Sequence, residues 1–294
     1  MQGYIIKGYS GFYYVYAKGN IYECSLRGKN RQNDLRFLPG DIVEFEAMPK
    51  EKEEFEKGVI EKVVDRRNEL ARPPIANVDQ LIIAVAAKNP EPDYRLIDRM
   101  TVIALWNGIE PVICFNKADL SPKQDDFLAH YKNCGFKIIF TSTVTGEGID
   151  ELKDVLKGKI SVFAGNSGVG KSSLLNAIGK SNIAQTGKIS TKLKRGKHTT
   201  RHVELFALDD HTFLADTPGF SALELPKEIK REELSRLFPE FMLYLSECKF
   251  ATCLHRNEPS CKVRDALEEG EIAQSRYENY LVFLEEVIAN ERSY

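Results

Sequence analysis

The sequence lacks the features of secreted and membrane proteins. No apolar run approaches the roughly 20 residues that a membrane-spanning helix needs. The opening stretch, MQGYIIKGYSGFYY, has neither the basic flank nor the long apolar run of a signal peptide. Three of the six cysteines are scattered and three are clustered, which is not the pattern of a secreted disulfide framework. We therefore expect a cytoplasmic protein that does not contact a membrane.

The sequence also lacks a strong excess of charge, an internal repeat and any low-complexity tract. A formal net charge of -2 gives no global reason to expect nucleic acid, although local basic segments can still bind it. The 294 residues leave room for two or three domains.

Residues 1–68 have the pattern of a small β-domain. Aromatic and β-branched runs, separated by glycine turns, indicate about five short strands. Such a domain is typically a small closed barrel of the SH3-like or OB-like kind, and we predict an OB-like RNA-binding barrel. The next segment, RNELARPPIANVD, contains adjacent prolines and is predicted to be a linker.

Residues 69–224 have a different pattern of apolar and polar residues. The apolar runs LIIAVAAK, PVICFNK, KIIFTST and KISVFAGN alternate with helical segments. This alternation indicates a multidomain α/β protein with a central parallel sheet covered by helices on both faces. The segment HVELFALDDHTFLADTPG then predicts a hairpin around Asp209 and Asp210. Residues 225–294 are predicted to form a helical zinc-binding subdomain that ends in an amphipathic helix.

The segment GNSGVGKS matches the phosphate loop G-x-x-x-x-G-K-[ST] at every fixed position. Its flanking strand and helix argue against an accidental glycine-rich turn. Backbone N–H groups and the helix N-terminus bind phosphate, Lys171 supplies a cation, and the Ser172 hydroxyl is a Mg²⁺ ligand. The predicted nucleotide-binding residues of this loop are Gly165, Asn166, Ser167, Gly168, Val169, Gly170, Lys171, Ser172 and Ser173.

The motif D-T-P-G follows this loop at a separation usual for P-loop NTPases. It predicts that Asp216 lies near Mg²⁺ and that the Gly219 N–H faces the γ-phosphate. Alone, the tetrapeptide also fits an ordinary turn.

The tetrapeptide NKAD predicts that the nucleotide is GTP. Asp119 can accept hydrogen bonds from guanine N1–H and N2–H₂, and adenine would leave this carboxylate unpaired. Asn116 is predicted to bond the other edge of the base, and the Lys117 stem to cover its face. The loop FTSTVTGEG is predicted to direct Ser142 and backbone N–H groups at guanine O6. N-K-x-D is common by chance, but here all four loops follow strands, where an open parallel sheet binds ligands.

The order of these motifs is a cyclic rotation of the usual GTPase order, because NKAD precedes the phosphate loop. A circular permutation keeps the site, since the site depends on spatial neighbours. We predict that the original ends are joined through IDELKDVLKG.

The segment 180–202 holds seven lysines and arginines and no acidic residue. It is either a solvated basic loop or a switch that contacts phosphate of the nucleotide or of RNA. Thr199 or Thr200, with Thr200 preferred, is the predicted switch hydroxyl for Mg²⁺. Many GTPases orient the attacking water with a glutamine after D-x-x-G, where this chain has Phe220. His198 either replaces that glutamine or contacts phosphate or RNA, and slow hydrolysis without an activating partner is expected.

Three cysteines and a histidine share the spacing C-x4-C-x-H-x5-C. Three thiolates and one imidazole fill a tetrahedral Zn²⁺ site with no open position, so the ion is predicted to be structural. A redox centre is the alternative, disfavoured by the absence of C-x-x-C. The predicted ligands are Cys248, Cys253, His255 and Cys261. Nearby basic residues make RNA contact a further prediction: Lys249, Arg256, Lys262 and Arg264.

This combination of motifs resembles the circularly permuted bacterial GTPases of the ribosome small subunit-dependent GTPase A (RsgA) family. The resemblance covers the whole chain, from the barrel through NKAD, TSTVTGEG, GNSGVGKSS, GKHTT and DTPGF to the zinc knuckle. It implies a cytoplasmic, Mg²⁺-dependent GTPase that acts in late maturation of the 30S subunit. It also implies hydrolysis stimulated by that subunit and contact with 16S rRNA. A monomer is expected.

Three other functions remain open. The first is a GTP-dependent RNA-binding module with little or no turnover, which Phe220 keeps in consideration. The second is an ATPase or nucleotide kinase that uses the same phosphate loop. The third is a permuted GTPase that serves a different RNA target.

Overall fold

The computed structural model describes most of the chain. The described residues are 1–9, 11–27, 36–48, 55–71, 73–120, 124–179, 203–216 and 224–292. By internal contacts the chain forms two compact units, each described by itself. The first unit comprises Met1–Ile82, Ile149–Ala164 and Lys171–Phe220, and the second comprises Ile83–Gly148, Gly165–Gly170 and Ser221–Tyr294.

The N-terminal strands close into a barrel, as the sequence predicts. They are β1 (Gln2–Tyr9), β2 (Phe12–Ala17), β3 (Asn20–Leu26), β4 (Ile42–Ala47) and β5 (Glu56–Val63). The barrel order is β1-β2-β3-β5-β4, closed by antiparallel pairing of β4 with β1. Alternate residues point inward, so Val15, Cys24, Val43 and Ile60 form a buried core.

The segment predicted to be a linker is a hairpin of two short strands, β6 (Glu69–Ala71) and β7 (Pro74–Ala76). The prediction of an irregular linker was wrong. The two prolines occupy the turn and the first position of β7, where the backbone needs no N–H group for pairing between the strands. Leu70 and Ile75 are buried. The Asn77 amide donates to the Gly40 carbonyl at 2.9 Å and so ties the hairpin to the barrel.

The central sheet has six strands in the order β10-β9-β8-β11-β13-β12. Their bounds are β8 (Gln80–Ala86), β9 (Glu110–Asn116), β10 (Lys137–Thr141), β11 (Ile160–Ala164), β12 (Leu205–Ala207) and β13 (Phe213–Asp216). β9 pairs with β10 and β11 with β13 in parallel, whereas β12 and β13 form the predicted antiparallel hairpin. β8 and β11 are buried along their whole lengths, which explains their continuous apolar sequences.

Helices follow where the sequence predicts them. They are α1 (Tyr94–Trp106), α2 (Gln124–His130), α3 (Ile149–Leu156), α4 (Lys171–Gly179), α5 (Arg231–Leu234), α6 (Lys262–Glu268) and α7 (Gln274–Arg292). α1 begins after Asp93, whose carboxylate accepts the Leu96 N–H as an N-cap. Among helices in the described ranges, none is long and apolar enough to cross a membrane.

In the first unit, the outer face of the barrel packs against the β12–β13 hairpin. The Phe213 ring lies 4.6 Å from the Tyr4 ring and 5.7 Å from the Tyr16 ring, between centroids. Lys7 forms a 3.5 Å ion pair with Glu204 just before β12. Burial and the Asp210 carboxylate at the hairpin tip raise the pKa of Tyr16 to about 12. Barrel aromatics therefore hold the strand that ends at Asp216.

In the second unit, helix α7 is fixed to α1 by an ion network with no exposed surface. Arg276 donates to both Glu240 oxygens, at 2.7 and 3.0 Å, and to Asp98 Oδ1 at 2.8 Å. All three side chains are at most 1% exposed. Asp98 also accepts hydrogen bonds from Tyr131 and from Asn279. These charges are satisfied only together, since an unpaired buried charge is strongly unfavourable.

The charge environment shifts the acid equilibrium of Asp98. Burial raises the pKa of this carboxyl, but Arg276 and His130 outweigh it and hold the pKa below its ordinary value. The ion pair is therefore fully formed above the ordinary carboxyl pKa of about 4. Its contribution to stability is lost as the pH falls through the folded-state value.

Replacing Arg276 with Met should destabilise the C-terminal part, because Asp98 and Glu240 would stay buried without a cation. We expect the free energy of unfolding near neutral pH to fall by about 3–5 kcal/mol, measured by denaturant titration. The matched control is Arg256→Met, which breaks a half-exposed pair with Glu285 and should lose at most about 1 kcal/mol. Equal losses in both variants, or an Arg276→Met loss that does not shrink in acid, would contradict the assignment.

Candidate functional site

The phosphate loop has a backbone that only glycine can adopt at its ends. It connects β11 to α4, and Gly165 and Gly170 have φ of +132° and +98°. A Cβ on Gly165 would lie 2.2 Å from the Ala84 carbonyl oxygen, and one on Gly170 would lie 2.3 Å from Asn116 Nδ2. Both glycines are thus required by close approach as well as by φ.

Asn116, the first residue of NKAD, holds the phosphate loop. Its Nδ2 donates a 2.9 Å hydrogen bond to the Val169 carbonyl, and its Oδ1 accepts one of 3.2 Å from Thr141. The side chain is 1% exposed. This amide therefore joins the guanine motif to the phosphate loop, and its predicted contact with the base stays a prediction.

Lys117 also reaches the phosphate loop. Its Nζ donates to the Gly168 carbonyl at 2.8 Å and to the Asn89 carbonyl. The residue has φ of +59°, a left-handed conformation. Its ammonium is therefore held between two carbonyls, and the predicted cover of its stem over a base face stays a prediction.

The loop after β10 is folded around Ser142, which is fully buried. The Ser142 hydroxyl accepts the N–H groups of Val144 and Thr145, at 3.2 and 3.1 Å. The Gly146 N–H donates to the Ser142 carbonyl at 2.9 Å. In this arrangement the Ser142 side chain shapes the loop, and its contact with guanine O6 stays a prediction.

Asp119 lies in the 3-10 turn Ala118–Leu120, directly after β9, and its side chain is exposed. It makes no hydrogen bond to another residue in the described ranges. A carboxylate presented in this way is available to a ligand, as the prediction of guanine recognition requires.

The structure describes Asp216 of the D-T-P-G motif, whereas the predicted switch segment 180–202 lies outside the described residues. The backbone of Asp216 pairs in register with Phe163, so this aspartate ends the strand beside the one that leads into the phosphate loop. Lys171 and Ser172 open α4 as predicted. Five residues named in the sequence analysis lie outside the described residues: His198, Thr199, Thr200, Gly219 and Phe220.

The four predicted zinc ligands converge. The ligand atoms of Cys248, Cys253, His255 and Cys261 all lie within 4.8 Å of one another. His255 Nδ1 is 3.6 Å from Cys248 Sγ and 3.3 Å from Cys261 Sγ. Burial lowers the pKa of His255, which favours the neutral imidazole that a metal needs. Three sulfurs and one nitrogen facing a common point match a structural zinc site.

The loop that bears these ligands is held from two sides. The Glu258 carboxylate accepts the N–H groups of Leu254, Arg256 and Asn257, at 2.8 to 3.0 Å. Two tyrosines of α7 donate to the loop carbonyls, Tyr277 to His255 at 2.6 Å and Tyr280 to Leu254 at 2.8 Å.

Several of these supporting residues were absent from the sequence prediction. Glu258 had a partial signal, because it is the acidic residue between the metal ligands His255 and Cys261 and a carboxylate can accept loop N–H groups. Thr141 and Asn89 had no such signal, since their contacts depend on the packing of distant loops.

Family models match both parts of the chain that precede the zinc knuckle. The model described as RsgA N-terminal domain matches residues 2–60, and the model described as RsgA GTPase matches residues 63–226. A relative named small ribosomal subunit biogenesis GTPase RsgA, from Moorella thermoacetica, is 49% identical over 100% of both chains. One of the same name from Caldanaerobacter subterraneus subsp. tengcongensis is 47% identical over 99% of this chain and 97% of its own.

Two solved structures share the fold. YjeQ from Thermotoga maritima superposes with a TM-score of 0.80, at 40% identity, over 98% of both chains. YloQ, described as a circularly permuted GTPase, gives a TM-score of 0.80 at 37% identity, over 98% of this chain and 95% of its own. These similarities match the barrel, the rotated motif order and the parallel sheet predicted from the sequence.

Gly170→Ala should weaken nucleotide binding by tenfold or more, because the new Cβ would displace Asn116 from the loop. Titration with a fluorescent guanine nucleotide measures the effect. The control is Gly108→Ala, where φ is +66° and nothing lies within 4 Å of the added Cβ. That variant carries a left-handed backbone strain of about 1–2 kcal/mol without the clash, and the φ of +98° at Gly170 adds further strain to Gly170→Ala. Equal affinities for the two variants would show that the clash is unimportant.

Cys261→Ser should abolish stoichiometric zinc and lower the melting temperature of the C-terminal part, because three ligands hold the ion poorly. Zinc content by atomic absorption, together with a thermal melt, tests this. Cys134→Ser is the control, since Cys134 is buried outside the cluster. Full zinc retention by Cys261→Ser would refute the ligand assignment.

Proposed function

The chain belongs to the RsgA GTPase family, and from this premise we propose that it acts on the small ribosomal subunit. It is a GTP-hydrolysing enzyme. We propose that it binds the 30S subunit, contacts 16S rRNA and assists late maturation, with hydrolysis stimulated by the subunit. The contacts of Asn116 and Lys117 with the phosphate loop support GTP binding, because they bring the proposed base motif next to the proposed phosphate site. The names of the relatives support action on the small subunit.

The proposed division of labour follows from chemistry. Asp119 selects guanine, and the Lys117 stem and the Ser142 loop complete the base site. Backbone N–H groups of the loop, with the Lys171 ammonium, bind the phosphates. Preorganised positive groups of this kind stabilise the charge that develops during phosphoryl transfer.

The residues present fit the Mg²⁺ that such enzymes use. The Ser172 hydroxyl is exposed at the start of α4, and the Asp216 backbone lies beside the strand that precedes the loop. Hydroxyl and carboxylate oxygens are ligands that Mg²⁺ prefers. Bound there, the ion would neutralise phosphate charge. Thr200 is proposed as the switch ligand.

The attacking water has no glutamine to orient it, because Phe220 follows D-x-x-G. We propose that His198 either orients this water or contacts phosphate or RNA, and that the small subunit supplies the missing organisation. The alternative of a GTP-binding RNA module with no turnover is not favoured, since the relatives are named as GTPases.

The remaining proposals concern the location of the protein in the cell, its oligomeric state and its domain boundaries. A factor for ribosomal subunits works in the cytoplasm, and we propose that this chain does so as a monomer. We retain three domains, with a barrel over 1–68, a permuted GTPase domain over 69–224 and a zinc-binding helical domain over 225–294.

Phosphate release from GTP, measured with and without purified 30S subunits, tests the function. Slow release alone and release at least tenfold faster with 30S subunits are expected, because an activating partner supplies transition-state stabilisation. The proposal would be contradicted if 50S subunits stimulated phosphate release as much as 30S subunits do. It would also be contradicted if no phosphate were released with or without 30S subunits.

Asp119→Asn tests base recognition, and Asp125→Asn is its control. It should lose GTP turnover and gain xanthosine triphosphate turnover, because the amide offers a donor where xanthine has a carbonyl. Asp125→Asn removes an exposed carboxylate at the start of α2 and should leave nucleotide choice unchanged.

A further inference from the structure

One zinc ligand lies on a backbone conformation that its own loop does not favour. This loop, residues 253–261, is called here the metal loop. His255 has φ of +56°, in the left-handed region that residues other than glycine seldom adopt. Such a conformation persists only where the surrounding structure fixes it. The residue is 2% exposed, and its Nδ1 faces the sulfurs of Cys248 and Cys261. The direction of this ligand therefore depends on what holds its backbone.

The contacts that hold this backbone come from two places. Glu258 accepts loop N–H groups, but it belongs to the metal loop itself. The Tyr277 hydroxyl donates to the His255 carbonyl at 2.6 Å, from a position 22 residues further along the chain. The Tyr280 hydroxyl donates to the adjacent Leu254 carbonyl at 2.8 Å. Helix α7 thus supplies two donors that fix consecutive carbonyls of the metal loop.

The same turn of α7 is attached to helix α1. Asn279 donates to Asp98 Oδ2 at 2.7 Å, and Arg276 donates to Asp98 Oδ1 at 2.8 Å. These two residues flank Tyr277 in the sequence, and all three are buried. A displacement of α7 from α1 would therefore also move the phenol that holds the His255 carbonyl.

We propose that Tyr277 is a positioning residue for the zinc ligand His255, and that the ion is bound tightly only while α7 is docked on α1. Groups that orient a metal ligand without touching the metal typically change metal affinity by about 10–100-fold. Zinc must in turn favour the docked helix by the factor by which docking favours zinc, because coupling between two equilibria is reciprocal. This inference rests on the zinc ligands assigned above and does not depend on the proposed action on the small subunit.

Tyr277→Phe in the full-length protein tests the positioning role. The substitution keeps the buried ring and removes only the O–H donor. Zinc affinity, measured by competition with a chromophoric chelator, should fall about tenfold or more. The visible spectrum of the cobalt-loaded protein, which reports ligand geometry, should also change. Tyr14→Phe is the matched control, since that phenol donates to Glu23 in the barrel. Its zinc affinity should stay within about twofold of the parent, because distant sites act independently.

Asn279→Ala tests the link to α1. It removes the hydrogen bonds to Asp98 and Arg95 and leaves Tyr277 and the four zinc ligands in place. Zinc affinity should fall several-fold, because the docked position of α7 is less populated. A thermal melt verifies that the variant is folded. The control is Glu278→Ala, which removes an exposed side chain of the same helix and should leave zinc affinity unchanged.

Trp106, the only tryptophan of the chain, reports docking of α7 in the unsubstituted protein. It ends α1 and packs against the core that contains Tyr280 and Phe283 of α7. Removal of zinc with a chelator should shift its emission to longer wavelength, because the indole then meets more water. Addition of zinc should reverse the shift.

The outcomes separate this proposal from the proposed function. Unchanged zinc affinity in Tyr277→Phe would overturn it, and so would a loss in Tyr277→Phe that Asn279→Ala does not share. Trp106 emission that is the same with and without zinc would overturn the link to docking. A parent protein that binds no zinc would overturn the proposal together with the ligand assignment. Failure to hydrolyse GTP or to respond to 30S subunits would instead contradict only the proposed function.

Discussion

The hydrogen bond from Asn116 to the Val169 carbonyl is the constraint on which the site depends. It joins two segments that are 53 residues apart, and the glycine at 170 exists because a side chain there would occupy the amide's place. This hydrogen bond does not depend on which of the two segments comes first along the chain. A rotated motif order can therefore support the same recognition of base and phosphate, since the contacts join neighbours in space.

Much of this arrangement could be predicted from the sequence, because local pattern determines it. The closed barrel follows from short alternating runs, the buried strands from continuous apolar stretches, and the knuckle from the spacing of Cys248 and Cys261. The hairpin at 69–76 was missed because its stability comes from side-chain hydrogen bonds such as that of Asn77. The buried role of Arg276 could not be predicted either. Its partner Asp98 is 178 residues away, and in the sequence both are ordinary charged residues of amphipathic helices.

The zinc knuckle and helix α7 are joined by hydrogen bonds. Tyr277 and Tyr280 fix the carbonyls of the metal loop, and Arg276, in the preceding position of the same helix, is locked to α1. The path continues to Asn89 before α1, whose carbonyl accepts the Lys117 ammonium. Hydrogen bonds, together with the chain from Asn89 to Asp98, thus connect the NKAD motif to the metal loop within the second unit. The structure supplies these contacts, whereas coupling itself requires two states of the elements that they join.

The contact of Phe213 with Tyr4 and Tyr16 places the barrel directly against the strand that ends at Asp216. Phe213 begins β13 and Asp216 ends it, so the barrel contacts the same four-residue strand that ends at the aspartate. No flexible loop lies between the two positions to absorb a displacement. A displacement of the outer face of the barrel would therefore act on β13, whose far end pairs with β11, the strand that leads into the phosphate loop.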